Sequence, residues 1–351
     1  MLLFDAHLDL AMNALEWDRD LDLGVHAIRR SEAAMSGKGR GMGTVSLPEM
    51  RKAEVGISLA TVIARTSRPG NPLPGSACQE ISYAKAQGQL AYYRVLEAQG
   101  KVRILADWPS LRQHVKAWQE RGPEEPLGLI LSMEGADPIV WPEQVASWWK
   151  DELRVVGPAH YGRSAYAFGT STEGGLTDLG EELLAEMDEI GMILDLTHLA
   201  ETAFWQALEL FEGPVLASHN NCRALVPGDR QFSDEQIAAI VERGGVIGVA
   251  LDAWMLYPGW IKGETSNTVV GLDAVADQID HICQIAGSTR HVGVGSDLDG
   301  GYGTEQCPHD LDTIADLQRI PDLLARRGYT AQDVEAIMHG NWLRFFQEAW
   351  S

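Results

Sequence analysis

At 351 residues the chain is long enough for one large barrel domain and too long for a small module. Lys and Arg number 28 against 50 Asp and Glu, a formal net charge of −22 that would repel a phosphate backbone, so nucleic acid is excluded as a partner. A hydrophobic share of 45% with 22% charged residues is that of a globular protein and excludes disorder, collagen and a simple coiled coil.

In chain order, short apolar runs alternate with longer amphipathic stretches. The runs are 2–5, 56–64, 127–133, 153–159, 192–197, 214–218, 245–251 and 292–296. Most are continuously apolar, as expected of parallel strands covered on both faces. Helices are expected over 76–99, 109–120, 178–190, 233–243, 269–286 and 330–348. Two of them carry capping signals, Ser233 with Gln236 and Thr330 with Asp333. A further run, VRILA (102–106), is read as an outer addition, and 20–46 and 252–268 as long loops over one rim. Eight strands with intervening helices predict an α/β fold, a (β/α)8 TIM barrel with extra outer elements, in a single domain over 1–351; a doubly wound open sheet is the alternative. No run reaches the roughly 18 apolar residues of a membrane span, and the start, MLLFDAHLDL, lacks the features of a signal peptide. Four scattered cysteines without a CxxC pair are expected to be reduced. The reading is a cytoplasmic protein with no membrane partner.

In a (β/α)8 barrel the C-terminal ends of the strands supply the active site, so the residues after each run are the candidates. Run one leads into Asp5, His7 and Asp9, run three into Glu134, and runs four, five and six into His160, His198 and His219; run eight ends at Asp297. Period two in an extended strand places His7 and Asp9 on one side, where they can share a cation. His198 and His219 can hold a second, and Glu134, with two oxygens, can bridge the pair. Imidazole with carboxylate suits zinc. One histidine at a strand end is usually structural; the coincidence of five candidate ligands at the same end of independently assigned strands is what points to a metal site.

Asp297 lies among small residues in GVGSDLDGG (293–301) and can move a proton between a metal-bound water and a leaving group, with Asp299 as its rival. Arg230 can grip a substrate carboxylate through two hydrogen bonds, and Arg223 is a rival for that role. Cys222 and His309 are set aside, and His26, His114, His281, His291 and His339 are read as structural or solvated. No Walker loop or G-x-S-x-G elbow is present, which argues against phosphate and serine chemistry.

The set resembles the membrane (renal) dipeptidase family of the amidohydrolase superfamily over nearly the whole chain. The matching pieces include FDAHLDL (4–10), LILSMEGADPI (129–139), GPAHYGRS (157–164), PVLASHNNCRAL (214–225), DRQFSDEQI (229–237) and GVGSDLDGG (293–301). The resemblance implies two zinc ions per chain, one held by His7, Asp9 and Glu134 and the other by Glu134, His198 and His219. It implies that His160 contacts the scissile carbonyl, that Arg230 binds the terminal carboxylate of a dipeptide, and that Asp297 is the acid/base. The expected reaction is hydrolysis of a dipeptide, with a C-terminal D-residue among the substrates to test, by a hydroxide bridging the metals. A homodimer is compatible with the sequence. Ala136 replaces the family's second glycine after the bridging acid, and Tyr161–Tyr166 lacks an Asn-rich, Trp-containing stretch, so pocket shape is expected to depart from the mammalian members. N-acyl-amino-acid deacylase or lactonase activity on the same scaffold is the alternative function. A non-catalytic metal-binding scaffold is the second alternative.

Overall fold

In the computed structural model, which describes residues 1–351, nine parallel strands are ordered by the apolar runs. They are β1 (Leu3–Leu8), β2 (Val55–Val62), β3 (Val102–Ile104), β4 (Leu127–Glu134), β5 (Leu153–Gly157), β6 (Ile193–Asp195), β7 (Val215–Leu216), β8 (Ile247–Val249) and β9 (Val292–Val294). The order is β7-β6-β5-β4-β2-β1-β9-β8. A parallel bridge between Ala217 and Ile247 joins β7 to β8 and closes the eight into a barrel. The seam is supported by hydrogen bonds from Gly248 N to Ala217 O (2.8 Å) and from Asn220 N to Gly248 O (2.7 Å). β3, the VRILA run, pairs only with the start of β4 and lies outside this path, as an outer addition should.

The lumen is apolar at one end. Phe4 and Ala6 of β1 and Ile57 and Leu59 of β2 cluster with Ile130, Val155, Ile193 and Leu216. Alternate residues of six strands meet in this way only inside a closed barrel. The C-terminal helix Asn341–Ala349 plugs this end with Trp342, Phe345 and Phe346, and Phe4 stacks on Trp342 and Phe346 at 5.8 and 5.6 Å. Gly293 is required there: a Cβ on it would lie 2.3 Å from Nε1 of Trp342, whose indole N–H donates to Val294 O.

Two expectations are corrected. The stretch 330–348 is not one regular helix: a π turn over Ala336–Gly340 separates Ala331–Glu335 from Asn341–Ala349. After the turn, Asn341 Nδ2 donates to Thr289 O and Val292 O beneath the barrel. The stretch 20–46 is not all loop, because Val25–Glu32 is helical. Its inner face has only Val25 and Ile28 as apolar anchors. The third anchor is Glu32, buried through ion pairs with Arg19 (2.9 Å) and Arg40 (2.9 Å), a pattern that apolar periodicity does not reveal. The capping boxes at Ser233 and Thr330 are both formed.

Candidate metal centre

At the end of the barrel opposite the aromatic plug, the strand termini converge on Glu134, the last residue of β4. Its Oε1 lies 3.1 Å from His198 Nε2, 3.2 Å from His219 Nε2 and 3.9 Å from His7 Nε2, and its Oε2 lies 3.7 Å from His160 Nε2. His7 Nε2 is also 3.8 Å from Asp9 Oδ2 and 3.9 Å from Asp297 Oδ1. Every residue of this set is buried except His160 and Asp297, and those two are nearly so. Three donor groups have ligand atoms within 4.8 Å of one another: His7, Glu134 and His219; Glu134, His160 and His198; and His7, Asp9 and Asp297.

Asp9 reaches the cluster by a different route from the one its spacing suggests. β1 ends at Leu8, and Asp9 occupies the cap position of helix Leu10–Glu16 with φ −86° and ψ 48°. The turn follows a register shift of β1 against β2 between Asp5 and Leu8, and His7 Nε2 and Asp9 Oδ2 meet at 3.8 Å.

The backbone is strained where the chemistry sits. His198 (φ 69°) and Asp297 (φ 57°) both occupy the left-handed region that residues with a Cβ rarely adopt. Two buried acids hold these turns in matching ways. Asp5 Oδ1 accepts from His7 N (3.2 Å) and from Ser296 N (2.8 Å), the residue before Asp297. Asp195 Oδ1 accepts from Thr197 N (3.0 Å), the residue before His198, and from Ser218 N (3.1 Å), the residue before His219. The outer ring nitrogens are also engaged: Thr170 Oγ1 is 2.9 Å from Nδ1 of His198, and Ser218 Oγ is 2.9 Å from Nδ1 of His219. Such contacts fix ring orientation and aim Nε2 inward.

Charge follows from burial. Desolvation, aided by Arg230, pushes His198 and His219 well below the ordinary imidazole range; His160 is lowered by burial and then by Arg65 and Arg230. These rings are therefore neutral and keep lone pairs for a cation. Burial also depresses His7, but Glu134, Asp9 and Asp297 outweigh it and raise the ring to about 10. Glu134 is pushed up to about 7 by burial, and Asp297 rises well above the carboxylate range for the same reason. His7 Nε2 and Asp9 Oδ1 are buried without a hydrogen-bond partner, which is costly unless something else satisfies them. A divalent metal fits this donor set.

The rivals separate clearly. Asp299 faces away, accepting from Thr44 N (2.7 Å), Thr44 Oγ1 (2.8 Å) and Val45 N (3.0 Å) and pairing with Arg19 (3.2 Å), whereas Asp297 lines the cavity. Arg223 bonds Glu201 (2.9 Å) and Gln231 O (3.1 Å) away from the cavity. Arg230 is buried in the cavity wall, donating to Asn220 Oδ1 and to His219 O (2.8 Å). Cys222 is buried against Gln278, and His309 bonds Val270 O. His114, His291 and His339 bond carbonyls of the frame, and His26 and His281 face Asp312 and Asp234.

The cavity above the cluster has a volume of about 530 Å³. Two of its wall residues, Arg65 and Asp252, were not among the candidates, yet they follow the second and seventh apolar runs directly, so the strand-end rule applied to all eight runs finds them. Arg65 Nη1 is 3.1 Å from Nδ1 of His160. Asp252, raised to about 6 by burial, accepts from Gln306 Nε2 at 2.8 Å on each oxygen.

A parallel (β/α)8 barrel whose strand ends gather imidazoles and carboxylates beneath a cavity defines a metal-dependent hydrolase. The profile of the family described as Membrane dipeptidase (Peptidase family M19) matches residues 1–350, and the chain belongs to that family of metallo-dipeptidases. Dipeptidase 3 of Rattus norvegicus is 30% identical over 174 residues, which is 50% of this chain and 33% of that protein; the chain thus spans about a third of that relative's length. The crystal structure of dipeptidase AC, a metallopeptidase of family M19, superposes with a TM-score of 0.81 at 25% identity, covering 100% of this chain and 99% of that one. A metallopeptidase from Rhodobacter sphaeroides, solved with a phosphinate mimic of the dipeptide L-Ala-D-Ala, shares the fold with a TM-score of 0.81 at 23% identity over 100% and 99% of the two chains. No helix is long and apolar enough to cross a membrane.

Proposed function

We propose that the chain is a binuclear zinc dipeptidase. The observation that carries this reading is Glu134, whose Oε1 faces His198 and His219 within 3.2 Å and His7 at 3.9 Å, while His7 Nε2 and Asp9 Oδ1 are buried without protein partners. His7, Asp9 and Glu134 would hold one zinc, with the His7 proton displaced on binding, and Glu134, His198 and His219 the other; imidazole nitrogen with carboxylate oxygen suits that ion. When bound, the metals polarise the amide carbonyl and lower the pKa of water in the site.

The chain's own groups supply the rest. The Arg230 guanidinium is positioned by Asn220 and His219 O to receive the C-terminal carboxylate of the substrate. Arg65 donates to Nδ1 of His160, so the ring proton sits on Nε2, which points toward Glu134. His160 Nε2–H then donates to the carbonyl oxygen as negative charge builds on it. Asp297, beside His7 and open to the cavity, takes the proton of the attacking water on its carboxylate and delivers it to the amine that leaves. The products are two amino acids. A cytoplasmic location is consistent with four unpaired cysteines.

The test is metal analysis of the purified protein beside a screen of L-Xaa-L-Xaa and L-Xaa-D-Xaa dipeptides, with and without chelator. The expected result is close to two zinc per chain and cleavage lost on chelation. Two metals with turnover only of N-acyl-amino acids or lactones would move the function to the deacylase or lactonase reading. Absence of metal after reconstitution would sink the site itself.

A further inference from the structure

A plain dipeptide brings one carboxylate and one ammonium, and Arg230 is built for the carboxylate. The cavity wall nevertheless carries Lys38 and Lys262 as further cations at its mouth. They come from two separate rim loops, and they also line the cavity that adjoins the first. In a chain of net charge −22, the cavity wall sets four cations, Lys38, Arg65, Arg230 and Lys262, against five acids, of which Asp9, Glu134 and Asp297 belong to the metal cluster.

Neither ammonium has a carboxylate oxygen within 4.0 Å, and each rests on an aromatic face instead. Lys262 Nζ lies 4.3 Å from the centre of the Trp254 ring and 5.9 Å from that of Tyr161; Lys38 Nζ lies 5.8 Å from the centre of the Tyr302 ring. An aromatic face attracts the cation without neutralising it, so its remaining donors stay open to the cavity. The acid between them, Asp252, is turned to Gln306, which donates to both of its oxygens. Burial lowers the Lys262 ammonium, Asp252 raises it and Lys38 lowers it again, so both lysines and Asp252 lie within one another's field. Two mutually repelling cations beside one cavity favour an anion between them and disfavour the substrate's own terminal ammonium.

We propose that Lys38 and Lys262 form a second carboxylate-binding subsite, which selects dipeptides bearing an acidic side chain. The inference rests on the dipeptidase reading above and adds its substrate class.

The experiment measures kcat/KM of the metal-replete full chain on matched pairs, Ala-Glu against Ala-Gln and Glu-Ala against Gln-Ala, each as L,L and L,D forms, with Ala-Ala alongside. The Glu form is expected to be preferred by about 5- to 10-fold in at least one pair, the scale of one or two solvent-exposed charge contacts, and the preference should shrink as salt rises. In a K38Q/K262Q double variant the Glu-to-Gln ratio should fall to within about twofold of unity. Because the readout is a ratio within one protein, loss of folded or metal-loaded enzyme cancels. Cleavage of Ala-Ala with ratios near unity in the unaltered chain would overturn the subsite and leave the dipeptidase reading intact. So would a wild-type preference that the double variant retains. No cleavage of any dipeptide would overturn both.

Discussion

The two ends of the barrel are built from the same strands and obey opposite rules. At the plugged end, Phe4, Ile57 and Ile130 meet Trp342, Phe345 and Phe346 with no charge among them, and stability comes from apolar burial and close packing. At the open end, four imidazoles and two further carboxylates crowd around Glu134, His198 and Asp297 sit in the left-handed region, and several ionisable groups are held far from their ordinary pKa. The difference teaches that one end holds the barrel together while the other spends that rigidity on holding like charges close.

The comparison can be broken at either end. The largest effect is expected from Asp297→Asn, which should lower kcat by about 10²- to 10⁴-fold, the range for loss of a general acid/base, with metal content unchanged by elemental analysis. An active variant would remove Asp297 from the proton path. At the other end, Trp342→Ala should cost about 3–5 kcal/mol of stability in denaturant titration, since it empties a fully buried site packed on Phe4 and Gly293. The surviving folded protein should still take up metal; if it does not, the two ends are not independent.

Within the open end, Arg230→Met should reduce kcat/KM for dipeptides by about 100-fold, the scale of a lost charged hydrogen-bond pair, whereas Arg223→Ala should stay within about threefold. Equal effects would erase the distinction that burial draws between the two arginines. The smallest expected change is thermal: metal removal should lower Tm by several degrees, because ligand binding to the folded state alone stabilises it by about 2.7 kcal/mol at one hundred times Kd. A Tm indifferent to chelator would mean that the polar end is already satisfied without cations.

The barrel was legible because parallel strands covered on both faces write themselves as apolar runs, and all eight runs supply barrel strands in order. Their lengths were less legible. The run 192–197 contributes only Ile193–Asp195 and 214–218 only Val215–Leu216, since the residues that follow leave the sheet to carry His198 and His219. Helix Val25–Glu32 was missed because a buried ion-paired glutamate stands where an apolar residue was sought. At the site, His and Asp identities at strand ends were readable from one dimension. The tautomer-setting contact of Arg65 with His160 joins residues 95 apart, and no local pattern encodes it.

Asp5 and Asp195 have a further consequence. Each ties a ligand-bearing turn to the neighbouring strand through backbone N–H groups, so the reactive constellation is referenced to the barrel wall, and of the two lysine-bearing loops that of Lys38 is fastened to it through Thr44 and Val45 on Asp299. The loop tip that carries Lys262 is therefore the exchangeable part of the collar. Insertions, deletions or charge reversals there should retune which molecules enter while leaving the chemistry below unmoved, and this separation gives one scaffold room to diversify its substrates without relearning hydrolysis.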